Sequence, residues 1–249
     1  MTETPDVPAP APADSGSFLG NLFNLYFEPK ETFAKIFVNP RVGMAILLQI
    51  AMGVLFTSVW LQKMDAREFM KAQMEQNSRI QQLPAERVEQ IIDTQARFMR
   101  TWGRIAPFIA PVVLDLVLAG IFMFIFRFFM AAEVSFLQSL ATVAWTFAAL
   151  GLLQTPIMLL VLWLKGDWNV DPNQIIQANP TLFLEPGSLP RWIWSLLSSF
   201  DLFSVWVLFL LATGHAVAGG RGLSTGLWGI GIPWVLYLAV KTGFILMFG

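Results

Sequence analysis

Long apolar stretches recur along this chain, and three kinds of segment separate them: short turns, one charged interval of some forty residues, and one loop rich in proline and polar side chains. Val42 to Leu61 carries Gln49 as its only strongly polar interior residue, and residues 104–130, 136–164, 191–218 and 226–248 repeat the pattern. About 20 apolar residues at ~1.5 Å rise each cover a hydrocarbon core of ~30 Å, so each stretch predicts a transmembrane helix. The fold class that follows is all-α, a polytopic membrane helical bundle of about five transmembrane helices with an extramembrane helical hairpin.

The segments between the spans have their own signals. Residues 1–16 are rich in Pro and Ala and carry Glu3, Asp6 and Asp14, a mix expected to stay disordered. They lack the basic start and apolar core of a signal peptide, so targeting falls to the first span. In 17–41, Phe18, Leu22, Leu25 and Tyr26 recur at helical spacing, and Pro29 can open a second helix with Phe33, Ile36 and Phe37 on one side. Both runs are too short to span. They read as interfacial amphipathic helices, with a cap packed on the bundle as the alternative. In 62–103, Val88, Ile91, Ile92, Phe98, Met99 and Trp102 keep a helical rhythm, and Leu83-Pro84 before Glu86 ends one helix and begins another. The charges of this hairpin are either a solvated face or a surface for a partner. Residues 165–190 form an irregular extramembrane loop, and Gly219 to Thr225 is short enough to make the last two spans antiparallel neighbours.

Composition agrees with the pattern. The chain has 249 residues, of which 55% are hydrophobic and 13% charged, and its mean hydropathy is +0.59. A net charge of -1 supplies no field for nucleic acid. Zero Cys removes disulfides and thiol nucleophiles, and a single His removes any multi-His metal centre. The nucleotide-binding GxxxxGK[ST], the zinc-binding HExxH and a Gly-rich dinucleotide turn are missing, and no Ser sits in a nucleophile elbow. Catalysis and a bound cofactor are therefore not expected.

The chemistry that remains lies within the spans. If consecutive helices alternate in direction, Asp115, Asp201 and Lys241 each sit ~10–16 Å in from the face bearing the hairpin and the long loop, and Gln154 beside Thr155-Pro156 falls in the same layer. A charge at that depth is costly unless it is paired, so these four predict an intramembrane polar network. Two roles are open to it: an ion pair that fixes helix register, or a proton or ligand site. His215 lies ~21 Å along its helix from Asp201 and reads as an interfacial residue making one hydrogen bond. Arg127 sits near the end of its span and can snorkel.

Two motifs carry a family resemblance. FEPKETFAKIFVNP, with Phe27, Pro29, Thr32-Phe33 and Pro40, precedes the first span, and SSFDLFSVW, with Asp201-Leu202-Phe203 and Trp206, opens the fourth. Together with about five spans they resemble the bacterial branch of the Ypt/Rab-interacting protein (Yip) domain family, over roughly Phe18 to the C-terminus. The resemblance implies a five-helix integral membrane protein, in a bacterial inner membrane with its N-terminus in the cytoplasm, and without catalysis. Eukaryotic members act in vesicle traffic through small GTPases, and some bacterial relatives are accessories to ABC-type export systems. Partners implied are the lipid bilayer and other membrane proteins, an ABC-type exporter among them.

Charge speaks against that orientation. Lys63, Arg67, Lys71, Arg79, Arg87, Arg97, Arg100 and Arg104 cluster on the hairpin side, where the positive-inside rule alone would place the cytoplasm. The resemblance is followed here because Lys35 and Arg41 hug the first span.

Overall fold

The computed structural model describes residues 15–75, 83–185 and 188–248. The tail over 1–14 and the hairpin tip with Arg79 lie outside the described residues. Among the described residues there are nine α-helices and no strand: α1 (Phe18–Asn24), α2 (Pro29–Val38), α3 (Val42–Lys63), α4 (Ala66–Glu75), α5 (Ala85–Phe128), α6 (Phe136–Lys165), α7 (Arg191–Ser198), α8 (Leu202–Ala218) and α9 (Leu223–Phe248). Four of them, α3, α5, α6 and α9, are long and apolar enough to cross a bilayer. α7 and α8 reach that length and apolarity only as a pair, bent by 54°, so the spans number four, or five if the pair is one. The chain is an integral membrane helical bundle.

Local chemistry sets the boundaries. α6 opens on a reciprocal capping box in which Ser135 Oγ accepts from Gln138 N at 3.2 Å and Gln138 Oε1 accepts from Ser135 N at 2.9 Å. It closes at Gly166 in the left-handed region, φ 67°. α5 runs for 44 residues without interruption, so the second half of the hairpin and the second span are one rod. Pro107 and Pro111 sit inside it and withhold two amide donors.

Burying a leucine between helices gains little over leaving it in lipid, so close fit decides which helices pack. α6 presents Ala141, Ala144, Ala148 and Ala149, all fully buried, at i, i+3, i+7 and i+8. That stripe of methyls lets other elements approach, and Trp145 beside it anchors a core shared with α1, α2 and α8. A second core around Phe126 joins α5, α6, α8 and α9, and a third around Trp60 joins α3, α4, α5 and the loop after α6.

The N-terminal helices pack on the bundle with one face and leave the other exposed. Leu22, Leu25, Phe33 and Ile36 are fully buried against the bundle, while Leu19, Phe23, Phe27 and Val38 face outward. Tyr26 donates to Ala149 O at 2.6 Å, and Trp145 Nε1 donates to Pro40 O at 2.6 Å. Arg41, at φ 41°, takes the turn from this cap into α3.

The predicted single helix over 191–218 is broken. α7 ends at Ser198 and α8 starts at Leu202, because Asp201 caps a new helix and the backbone at Ser199 and Phe200 folds back on α7. Hydropathy is continuous through Phe200-Asp201-Leu202-Phe203, so the break leaves no mark in an apolar average.

Candidate functional site

Two of the four predicted polar residues, Asp201 and Lys241, line one cavity at that break, and Gln154 lines a second one with Asp201. Asp201 Oδ1 accepts from Phe203 N at 2.9 Å and Ser204 N at 3.0 Å, and its Oδ2 accepts from Ser204 Oγ. Lys241 Nζ, on α9, donates to Ser199 Oγ at 2.8 Å and to Ser195 O at 3.3 Å. The acid is thus neutralised by the N-terminus of α8 and the base by the carbonyl end of α7, each the favourable pole of a helix dipole. The direct Lys–Asp pair expected from the sequence is replaced by two helix ends.

Two cavities flank the break. One of about 930 Å³ lies between α7, α9 and the loop around Asn173–Thr181, with Asp201 and Lys241 both on its wall. The other, about 460 Å³, lies between α6 and α8 and is lined by Gln154 and Asp201. Leu202 N donates to Ala178 O at 3.1 Å, so the loop closes one side of the site.

Asp115 stands apart. It is fully buried between α3, α5 and α6, and its Oδ2 accepts from Gln49 Nε2 at 2.8 Å while the same amide donates to Ala144 O at 3.0 Å. Its Oδ1 has no hydrogen-bond partner. Counting residues from a common face left its azimuth open, and it points toward α3. Gln49 was visible as the single polar residue of the first span, and a polar side chain inside lipid needs a partner; that was the signal for this pair.

His215 is also placed differently from expectation. It is fully buried, not interfacial, and makes two hydrogen-bond contacts: Nδ1 to Leu211 O at 2.8 Å and Nε2 to Ser139 Oγ at 2.9 Å. The Leu211 carbonyl can only accept, so Nδ1 carries a proton, while Ser139 Oγ donates its one proton to Ala119 O at 2.8 Å and thereby links α5, α6 and α8. Phe126 stacks on the ring at 4.8 Å and Phe122 meets it edge-on at 5.3 Å.

Outside the spans, Asp65 caps α4, its Oδ1 accepting from Arg67 N at 2.8 Å and Glu68 N at 3.2 Å. Those two backbone donors pull its pKa below the ordinary 3.8. Its own N–H donates to Asn169 Oδ1 at 2.9 Å, Asn169 Nδ2 donates to Glu68 Oε2 at 2.8 Å, and Trp60 Nε1 donates to Trp168 O at 3.0 Å, so hairpin base and long loop form one unit on one side of the bundle. Arg67 bridges the hairpin arms through Glu89 at 2.7 Å and Asp93 at 3.0 Å. Among the described residues no group of three or more His, Asp or Glu is placed to hold a metal.

The fold and site define a helical membrane bundle with a discontinuous span and an extended extramembrane arm. Comparison with protein-family models, with curated proteins and with solved structures finds no match to this chain.

Proposed function

We propose that this chain is a non-enzymatic membrane protein of the Yip type that acts as an accessory or scaffold for a membrane export or trafficking machine, an ABC-type exporter among the candidate partners. The observation that carries this reading is that the ionisable groups inside the bundle hold the fold. Asp201 caps α8, Lys241 seals the end of α7, Asp115 ties α5 to Gln49, and His215 ties α8 to Ser139. The helices that carry the family resemblance also pack on each other: Phe33 of α2 lies against Gly214 of α8, and Tyr26, just ahead of the first motif, stacks on Trp206 at 5.2 Å.

Binding is left to the arm. Before Arg104, α5 extends 19 residues, ~28 Å, past its apolar part, and exposes Arg97, Phe98, Arg100 and Trp102. A photo-crosslinking residue at Gln95 in native membranes is expected to trap a discrete membrane partner, and Arg97→Glu with Arg100→Glu to abolish the adduct. Absence of any adduct would count against the scaffold.

A small transporter or channel is the second reading, favoured by the cavities that Gln154, Asp201 and Lys241 line. Ion or solute flux in liposomes holding the pure protein, lost in Lys241→Met, would establish it.

The N-terminus is assigned to the cytoplasm of a bacterial inner membrane, which puts the arm outside. The chain has no Cys, so one introduced at Gln95 reports cleanly. Labelling by an impermeant thiol reagent in intact cells is expected, and its absence would reverse the assignment.

A further inference from the structure

The cavity at the α7–α8 break presents cationic donors on its wall. Lys241 has three ammonium protons and spends two, on Ser195 O and Ser199 Oγ. Both oxygens of Asp201 are engaged by its own helix. Arg191, Trp194 and Tyr237 complete the same wall. An anionic, oxygen-rich group fits such a wall, since bonds from an ammonium to a charged oxygen are the stronger kind.

Trp234 belongs to this wall and also to a second, apolar depression of about 710 Å³. That groove follows α9 from Leu223 to Leu236, ~20 Å at 1.5 Å per residue, between Leu227, Trp228, Ile232 and Val235. Its floor is open at Gly231, where an added Cβ would meet no heavy atom within 4 Å. A cationic, hydrogen-bonding chamber therefore borders, at Trp234, an outward-facing apolar trough about two-thirds as long as a hydrocarbon core is thick. A soluble anion would use only the chamber, whereas the pair together matches an amphiphile.

We infer that the two cavities hold one anionic glycerophospholipid, its phosphate against Lys241 and one acyl chain in the α9 groove. The groove faces outward on a bilayer-crossing helix, where lipid is the molecule at hand, and the charge of the chamber selects the head group. The inference does not depend on the scaffold reading, because the lipid site is a property of the isolated chain.

Native mass spectrometry of the full chain tests it, after exchange into micelles containing phosphatidylglycerol and phosphatidylcholine in equal amounts. Wild type is expected to retain one phosphatidylglycerol about tenfold more strongly than phosphatidylcholine, because both carry the phosphate but phosphatidylcholine also brings its choline cation against Lys241. Lys241→Gln keeps a donor but removes the charge, and should abolish the preference. Gly231→Leu places its side chain in open space, so it should fold with an unchanged Tm and lose retention of both lipids. If Lys241→Gln fails to fold, Gly231→Leu decides alone. Equal retention of the two lipids by wild type, a preference that survives Lys241→Gln, or retention unaltered in Gly231→Leu would overturn the site. So would displacement by glycerol phosphate as effective as by intact lipid, which would mean that the chamber takes a soluble anion.

Discussion

Gln49 Nε2 lies 2.8 Å from Asp115 Oδ2, an amide on one span holding a carboxyl on the next in a fully buried position. With Ala144 O as second acceptor at 3.0 Å, the amide cross-links α3, α5 and α6. Gln49→Leu removes both bonds and strands a buried carboxyl, which costs about 1–3 kcal/mol. Asp115→Asn keeps an oxygen for Gln49 without a charge, so its Tm should equal or exceed that of wild type. A double-mutant cycle with Gln49→Leu and Asp115→Leu should give a coupling of about 0.6–1.7 kcal/mol, the range for hydrogen bonds between membrane helices. A Tm drop in Asp115→Asn comparable to that in Gln49→Leu would show that the charge itself is needed.

The two placements of the acidic residues show where a sequence is legible in a membrane protein. The extents of α3, α6 and α9 follow from hydropathy, because the bilayer fixes a length and apolar composition reports it. Proximity along the chain axis is partly legible too, since 1.5 Å per residue is rigid: Asp201 lines one cavity with Lys241 and another with Gln154. Azimuth follows far less, because lipid-facing and helix-facing positions are equally apolar, and only the lone polar Gln49 in the first span hinted that Asp115 turns toward it and away from Lys241. Helix breaks are also hidden within apolar runs. Ser-Ser-Phe-Asp followed by Leu-Phe-Ser is a cap signal that hydropathy averages away.

Glycine makes the same point and yields a contrast. The slim segment from Gly222 to Gly231 divides in two. A Cβ on Gly226 would overlap the carbonyl of Ala212, its carbon at 2.8 Å, and one on Gly229 would run into the Phe126 ring. Gly222 has nothing within 4 Å. Gly226→Ala must push α8 and α9 apart and should cost about 1–3 kcal/mol, while Gly222→Ala should leave Tm unaltered. Equal effects in thermal melts would mean that the α8–α9 approach is not the reason for the glycine.

Ser139 and His215 form the second buried polar link, α6 to α8. Ser139→Ala removes the hydroxyl that donates to Ala119 O and lies 2.9 Å from Nε2, and should cost about 1 kcal/mol. His215→Ala also empties the space between Phe122 and Phe126 and should cost about 3–5 kcal/mol, as for large-to-small changes in a packed core. Detergent unfolding curves read both, and a His215→Ala protein as stable as wild type would place the ring outside the core.

Asp65 gives the extramembrane unit a pH dependence of defined sign. Its folded pKa lies below the ordinary 3.8 because two backbone N–H groups bind the ionised form. The stabilisation is therefore complete above that value and is lost as pH falls through the lower folded pKa. Asp65→Ala removes the cap, so its Tm should fall below that of wild type at neutral pH. The gap should narrow as the pH drops below 3.8 and the wild-type carboxyl takes up its proton. Protection of the α4 amides in hydrogen exchange reads the same change locally. A gap that is constant between neutral pH and pH 3 would mean that the cap acts through hydrogen bonds the protonated carboxyl keeps and not through the charge of the side chain.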